Sequence, residues 1–230
     1  MPTRLNLGCS TDLRGGEWTN VDIVPVEEMQ CAGIVADGVG YQQADLALPW
    51  PWKDSSVDEI YAADIFEHIG DCQHVGFQIC PNCYGAPFEG KEWERTRRSR
   101  QGGASGCGIC GIMPCMCLLR HWSGRIHAMN EAWRSLRPGG ILTMECPDAA
   151  KGAGQWQDPT HVSPWTPNAL QYYTDGSPAH KRFAAAYGIA ARFKVLSMTE
   201  RLYSETAGEL SGYGVGCNVW KFTARLEAVK

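Results

Sequence analysis

Short β-type runs alternate with helical stretches along most of this chain, and that alternation restricts it to a mostly parallel sheet flanked by helices. Residues 4–7 predict a buried strand that ends in Gly8, Cys9 and Ser10. Residues 19–23 predict a second strand with Asp22 near its end, and a third short segment ends in Ala44, Asp45 and Leu46. The run 56–63, SVDEIYAA, predicts a fourth strand, after which residues 64–68 open a helix. Ile126, Met129, Trp133 and Leu136 recur at the spacing of one helix face. Arg137, Pro138, Gly139 and Gly140 stop that helix, and residues 141–144 start a fifth strand. Beyond Pro147, residues 179–191 predict a helix, while 193–198 and 219–226 predict two strands that close the sheet edge as a hairpin. With 230 residues, 44% of them hydrophobic, the chain has enough apolar surface for such a core.

The alternation breaks between Cys72 and Ser123, where Gly, Cys, Arg and Pro dominate. A connection of this length far exceeds the usual span of about 4–6 residues, so something other than a core must stabilise it. The chain has 11 cysteines, six of them between Cys80 and Cys117. No apolar run approaches the roughly 20 residues of a membrane helix, and the first residues lack a secretory pattern. A cytoplasmic, reducing location away from membranes is therefore expected, where clustered thiols bind metal rather than pair as disulfides.

Cys80-x-x-Cys83 and Cys107-x-x-Cys110, with 23 residues between them, have the spacing of a paired-knuckle zinc site. Thiolates two residues apart can face one tetrahedral ion, and two pairs close the site. Gly85 and Gly111 allow backbone N–H groups to turn toward the sulfurs. Cys115 and Cys117 leave two alternatives open: they replace one of these pairs, or they join Cys72 and His74 in a second site. The expected organisation is an α/β domain over residues 1–71 and 124–230, with a zinc-binding module inserted at 72–123. Between the cysteine pairs, Lys91, Trp93, Arg95, Arg97, Arg98 and Arg100 alternate with Glu89, Glu92 and Glu94. Residues 95–100 are a candidate contact for nucleic-acid phosphates, with Trp93 as a stacking face; a solvated loop tip accounts for them equally well. A formal net charge of -4 gives no global attraction for nucleic acid.

The turn after the first strand places Gly8 at the carboxyl edge of the sheet, where doubly wound folds bind ligands, and Asp22 is placed to accept hydrogen bonds from ribose hydroxyls. The ordered series LNLGCS, WTNVDI, ADLALPWP, SVDEIYAADIFEHI, NEAWRSLRPGG and ILTMECPD closely resembles the class I methyltransferases that use S-adenosylmethionine (SAM), more narrowly a small bacterial and phage branch of them. The resemblance covers nearly all of residues 4–148 apart from the insertion. It implies a doubly wound, mostly parallel, seven-stranded Rossmann-like sheet and SAM as cofactor. By position it implies that Gly8, Cys9 and Ser10 line the methionine portion, that Asp22 holds the ribose and that Ile23 packs on the adenine. Asp45 would bind the adenine amino group with Leu46 beside it, and Asp64 would face both the cofactor's amino-acid end and the substrate.

Two departures matter. The family's glycine after Cys9 is Ser10 here, and only 14 positions separate Gly8 from Asp22, against about 20 in a dinucleotide fingerprint. No full helix fits there, so residues 11–18 are expected as a loop or a single turn, which disfavours a dehydrogenase.

The segment Asp158-Pro159-Thr160-His161, which precedes Trp165, Tyr172 and Tyr173, also resembles that branch. His161 is a candidate general base, with Asp158 and Asp64 as further catalytic candidates; alternatively His161 and Asp158 fix the loop. His68 has a packing reading beside a chemical one. No Asn-Pro-Pro-Tyr type motif follows the fourth strand, and Cys146-Pro147 reverses the order of the cytosine-ring nucleophile pair. The expected function is SAM-dependent methyl transfer to an unidentified small molecule, nucleotide or nucleic acid. The competing expectation is a non-catalytic, zinc-dependent nucleic-acid-binding or interaction module on the same scaffold.

Overall fold

The computed structural model describes residues 3–36, 38–70, 124–204 and 218–230. Seven strands, β1 (Arg4–Leu7), β2 (Trp18–Asp22), β3 (Tyr41–Gln43), β4 (Val57–Ala63), β5 (Leu136–Gly152), β6 (Phe193–Ser204) and β7 (Asn218–Ala228), form one sheet. Their order is β3-β2-β1-β4-β5-β7-β6. The first five pair in parallel, and β7 runs antiparallel between β5 and β6. The predicted edge hairpin is therefore present, with its second strand on the inside. Strand order reverses between β1 and β4, and such a switch point opens a crevice beyond the carboxyl ends of the strands.

The helices are α1 (Val26–Cys31), α2 (Gly124–Ser135), α3 (Gly154–Gln157) and α4 (Pro178–Tyr187), with a 3-10 turn over Pro167–Tyr172. In α2, Ala128, Met129 and Ala132 are buried against a core that includes Leu5, Leu7, Ile60, Leu142, Met144 and Phe222. Helix α4 starts where Ser177 Oγ accepts from His180 N at 3.0 Å and Pro178 presets the first turn. It stops at Gly188, φ 68°, four residues earlier than the periodicity predicts, because a left-handed C-cap satisfies the last carbonyls.

Between β1 and β2 there is no helix, as the short spacing requires. A buried pair of amides holds the connection instead. Asn6 Nδ2 donates to Asn20 Oδ1 at 2.9 Å and to the Asp12 carbonyl at 2.7 Å. Asn20 receives Arg14 N and donates to the Arg14 and Gly40 carbonyls.

Residues 64–68 do not form the expected helix. Asp64 adopts φ 50°, its N–H extends the ladder to the Glu145 carbonyl at 3.0 Å, and a single turn follows in which His68 N donates to the Ile65 carbonyl. That left-handed kink turns the chain across the strand ends instead of into a helix. Gly124 packs so closely on this turn that a Cβ there would lie 1.9 Å from the Ile69 carbonyl oxygen and 2.5 Å from that of Gly70. The residues on either side of 71–123 thus touch. The expected zinc ligands Cys80, Cys83, Cys107 and Cys110, their alternatives Cys72, His74, Cys115 and Cys117, and the basic residues 95–100 lie outside the described residues. Among the described residues, no helix is long and apolar enough to cross a membrane.

Candidate functional site

At the carboxyl ends of β1, β2 and β3, a cavity of about 180 Å³ is lined by Gly8, Asp22, Ile23, Asp45, Leu46, Ile65 and His68, among others. Five predicted cofactor residues are therefore brought together at one crevice. Asp22 is held by the backbone on both sides: Oδ2 accepts from Ser10 N at 2.8 Å and Oδ1 from Val24 N at 3.2 Å. Each carboxylate oxygen has a second lone pair, so these bonds orient the group without exhausting it as an acceptor. Ile23 is 60% exposed, an apolar face at the rim with nothing of the described chain over it. Asp45 Oδ1 accepts from Ala47 N at 2.9 Å, which fixes the turn after β3.

Other predicted residues take different positions. Cys9 is buried, and its thiol is pushed up to about 12 by burial, with the charge of Asp22 adding. Neither Cys9 nor Ser10 is among the lining residues. Asp64 also stands outside the lining and is ion-paired to Lys221 of β7, whose Nζ lies 3.8 Å from Glu145 Oε1 as well. Gly8, φ 63°, has a use other than close approach to a ligand: a Cβ there would lie 2.5 Å from Ile65 Cγ1. The space vacated by the missing side chain is filled by Ile65.

The DPTH segment docks onto the turn after β4. Val162 N and Ser163 N both donate to the Glu67 carbonyl at 2.9 Å, and Ser163 Oγ donates to the Ile69 carbonyl at 2.5 Å. This docking stacks His161 edge-on against His68, with ring centroids 4.6 Å apart. Thr160 Oγ1 lies 2.6 Å from Asp158 Oδ1 and 3.0 Å from His68 Nδ1. An ionised carboxylate only accepts, so the hydroxyl donates to Asp158 and must accept from His68 Nδ1–H; Nε2 of His68 then carries a lone pair. Asp158 is held below the usual carboxylate range by the Thr160 hydroxyl and then by the Thr160 N–H. Burial, and then the neighbouring His161, lowers the His68 imidazole, which favours its neutral form.

Sequence reasoning missed Glu67. Its side chain is fully buried, and neither carboxylate oxygen has a hydrogen-bond partner; the Cys146 thiol, a weak donor, lies beside it. Burial pushes its carboxyl up to about 8. The available signal was its place beside His68, but nothing local announces that a charged residue in a polar turn faces inward. Trp165 and Tyr173, which follow the DPTH segment, belong to the core, where Trp165 packs on Phe66 and Tyr173.

No protein-family model matches this sequence, and no curated protein matches it. Solved structures do. The chain is similar to a chain in the Haloferax volcanii complex between the methyltransferase activator Trm112 and a candidate methyltransferase: 14% identity over 100% of this chain and 82% of that one, TM-score 0.51. It is similar to the MccD protein at 12% identity, 99% and 90% coverage, TM-score 0.50. A candidate methyltransferase from Bacillus halodurans shares 10% identity over 99% and 93% of the two chains, TM-score 0.49. At such identities the likeness to the first two is one of fold: the seven-stranded, mostly parallel sheet is the Rossmann-like fold of methyltransferases.

Proposed function

We propose that this chain is a SAM-dependent methyltransferase whose adenosyl group occupies the crevice at the ends of β1, β2 and β3. The observation that carries this reading is the convergence of Gly8, Asp22 and Asp45, from three separate strand ends, on a single cavity. The donor set suits the group. Asp22 is preoriented to accept from ribose hydroxyls, Ile23 offers an apolar face to a purine, and Asp45 with Leu46 stands at the adenine end. The bound cofactor would supply an electrophilic methyl carbon on sulfonium. The protein's own task is positioning, because in-line displacement gains most from holding the acceptor at the correct distance and angle.

The cavity, at about 180 Å³, is smaller than the roughly 300 Å³ at which ligand sites begin. Ile65, seated against Gly8 and lining the cavity, is the side chain whose rotation would enlarge it. Titration calorimetry with S-adenosylhomocysteine tests the reading. Binding is expected for the wild type, and Asp22→Ala is expected to weaken it by about tenfold or more, the loss of a charged hydrogen-bonding partner. No heat with the wild type, or unchanged affinity in Asp22→Ala, overturns it.

Residues 72–123 form, in the same reading, an inserted zinc module with Cys80, Cys83, Cys107 and Cys110 as ligands. The contact of Gly124 with Ile69 and Gly70 supports an excursion that leaves and rejoins the domain at one point. Metal analysis is expected to find about one zinc per chain, lost in Cys80→Ser or Cys107→Ser; zinc-free, folded, active protein refutes it.

A further inference from the structure

We propose that Glu67, His68 and His161 bind one divalent first-row transition-metal ion of the class that takes mixed nitrogen and oxygen ligands. Each of the three offers one ligand atom within 4.8 Å of the others. Two imidazoles and one carboxylate are a donor set suited to such ions, Mn²⁺, Co²⁺ and Zn²⁺ among them. Bonds of about 2.1 Å require the atoms to draw together by about an ångström, within reach of side-chain rotation.

Proximity alone would be weak grounds, since polar clusters are common. Here, however, the groups are left incomplete in a way a cation completes. Glu67 is fully buried with both oxygens unpartnered, and His161 Nδ1 is likewise buried without a partner. For a carboxyl in this place to ionise, a cation must compensate its burial. The outer contacts are also those of a ligand shell. Asp158 holds Thr160, Thr160 accepts from His68 Nδ1–H, and His161 Nε2 faces Asp158 Oδ2 at 3.7 Å. The Thr160 bond leaves His68 with a lone pair on Nε2, and fixing the far nitrogen in this way is how proteins orient metal-binding histidines; in His161 it is Nδ1 that is buried and without a partner. His68 also lines the crevice, so the ion would sit at its edge. This assigns His161 a ligand's role in place of a proton acceptor's.

The site does not depend on the chain being a methyltransferase, and its test needs no activity. Full-length protein stripped with chelator is titrated with Mn²⁺, followed by the loss of the free-ion paramagnetic resonance signal, and then with Co²⁺, followed by its visible absorption. Mn²⁺ avoids thiolate sites, which separates this centre from the cysteine cluster. One Mn²⁺ per chain is expected, with affinity falling about tenfold or more in Glu67→Gln and in His161→Ala, and unchanged in Cys80→Ser. Thr160→Val, which removes the outer contacts of the hydroxyl to His68 and Asp158 and no ligand atom, is expected to weaken binding by about tenfold. Glu67→Gln keeps the side-chain volume, so loss of folding in His161→Ala leaves the test intact. The proposal is overturned if neither ion binds the wild type, or if folded Glu67→Gln binds Mn²⁺ as the wild type does.

Discussion

Two residues of the β1 turn are held in left-handed conformations for opposite reasons, and substitutions separate them. Gly8 has φ 63° and no room for a Cβ beside Ile65. Gly8→Ala should therefore lose about 2–4 kcal/mol of stability, combining left-handed strain with overpacking. In an Ile65→Ala background the part due to Cγ1 and Cδ1 should disappear, while the left-handed strain of about 1–2 kcal/mol and the contact with the Cβ of residue 65 at 2.7 Å remain. Denaturant unfolding of the four chains measures this, and equal costs in both backgrounds would contradict the packing argument. Ser10 stands at φ 42° where the resembling family has glycine, with its N–H engaged by Asp22. Ser10→Gly should raise stability by about 0.5–1 kcal/mol while leaving that bond in place; a destabilised variant would show that the serine hydroxyl does unrecognised work. Gly8 and Asp22 were legible as residues at strand ends, and Asp45 through the family resemblance; all three line one cavity. Glu67 was not legible, because its burial depends on Val162 and Ser163 docking on its carbonyl from almost a hundred residues away.

At the scale of elements, short apolar runs predicted six strands near their observed places, since a central strand such as β1 is buried almost throughout. The third segment was expected to end at 44–46, past β3, and β5 begins at Leu136, inside the stretch expected to stop the helix, and not at 141. What the runs could not reveal was how their ends are tied. The 11–17 connection is held by Asn6 and Asn20, two amides inside apolar segments that read from sequence as interruptions. Asn20 bonds to Asn6, Arg14 and Gly40, joining β1, the loop after it and the start of β3. Replacing it by Ala strands several buried partners at once, and a loss of about 2–4 kcal/mol is expected. Because the loop carries the backbone leading from Gly8 to Asp22, amide hydrogen exchange should rise first across residues 11–17. Uniform acceleration over the whole sheet would instead mean that the network supports the fold and not the loop. The turn at 64–68 escaped sequence reading for a related reason: a left-handed Asp64 is set by the β4–β5 ladder and by Lys221 of β7, not by its neighbours in sequence.

For the whole molecule, the contact between Gly124 and the Ile69 and Gly70 carbonyls has a direct consequence. If residues 71–123 begin and end at one point, the domain made by 1–70 and 124–230 needs only a short bridge there. Among the described residues, the core cluster runs from Leu5 in β1 to Ala228 in β7. A chain in which 71–123 gives way to a four-residue Gly-Ser linker is expected to fold. It should even gain about 2 kcal/mol from the smaller closure entropy of the shorter loop, provided the excised segment adds no stabilising contact of its own. Its thermal unfolding should remain cooperative, and a saturating adenosyl ligand at a hundred times its dissociation constant should add about 2.7 kcal/mol, seen as a rise in Tm. Zinc proposed for the cysteine cluster should be absent from this chain while Mn²⁺ binding proposed at Glu67, His68 and His161 persists, because all three lie outside the excised segment. A linker chain that unfolds without cooperativity would mean that 71–123 is part of the domain. One that folds but loses the adenosyl ligand would place the segment over the crevice, as a wall of the site and not a module beside it.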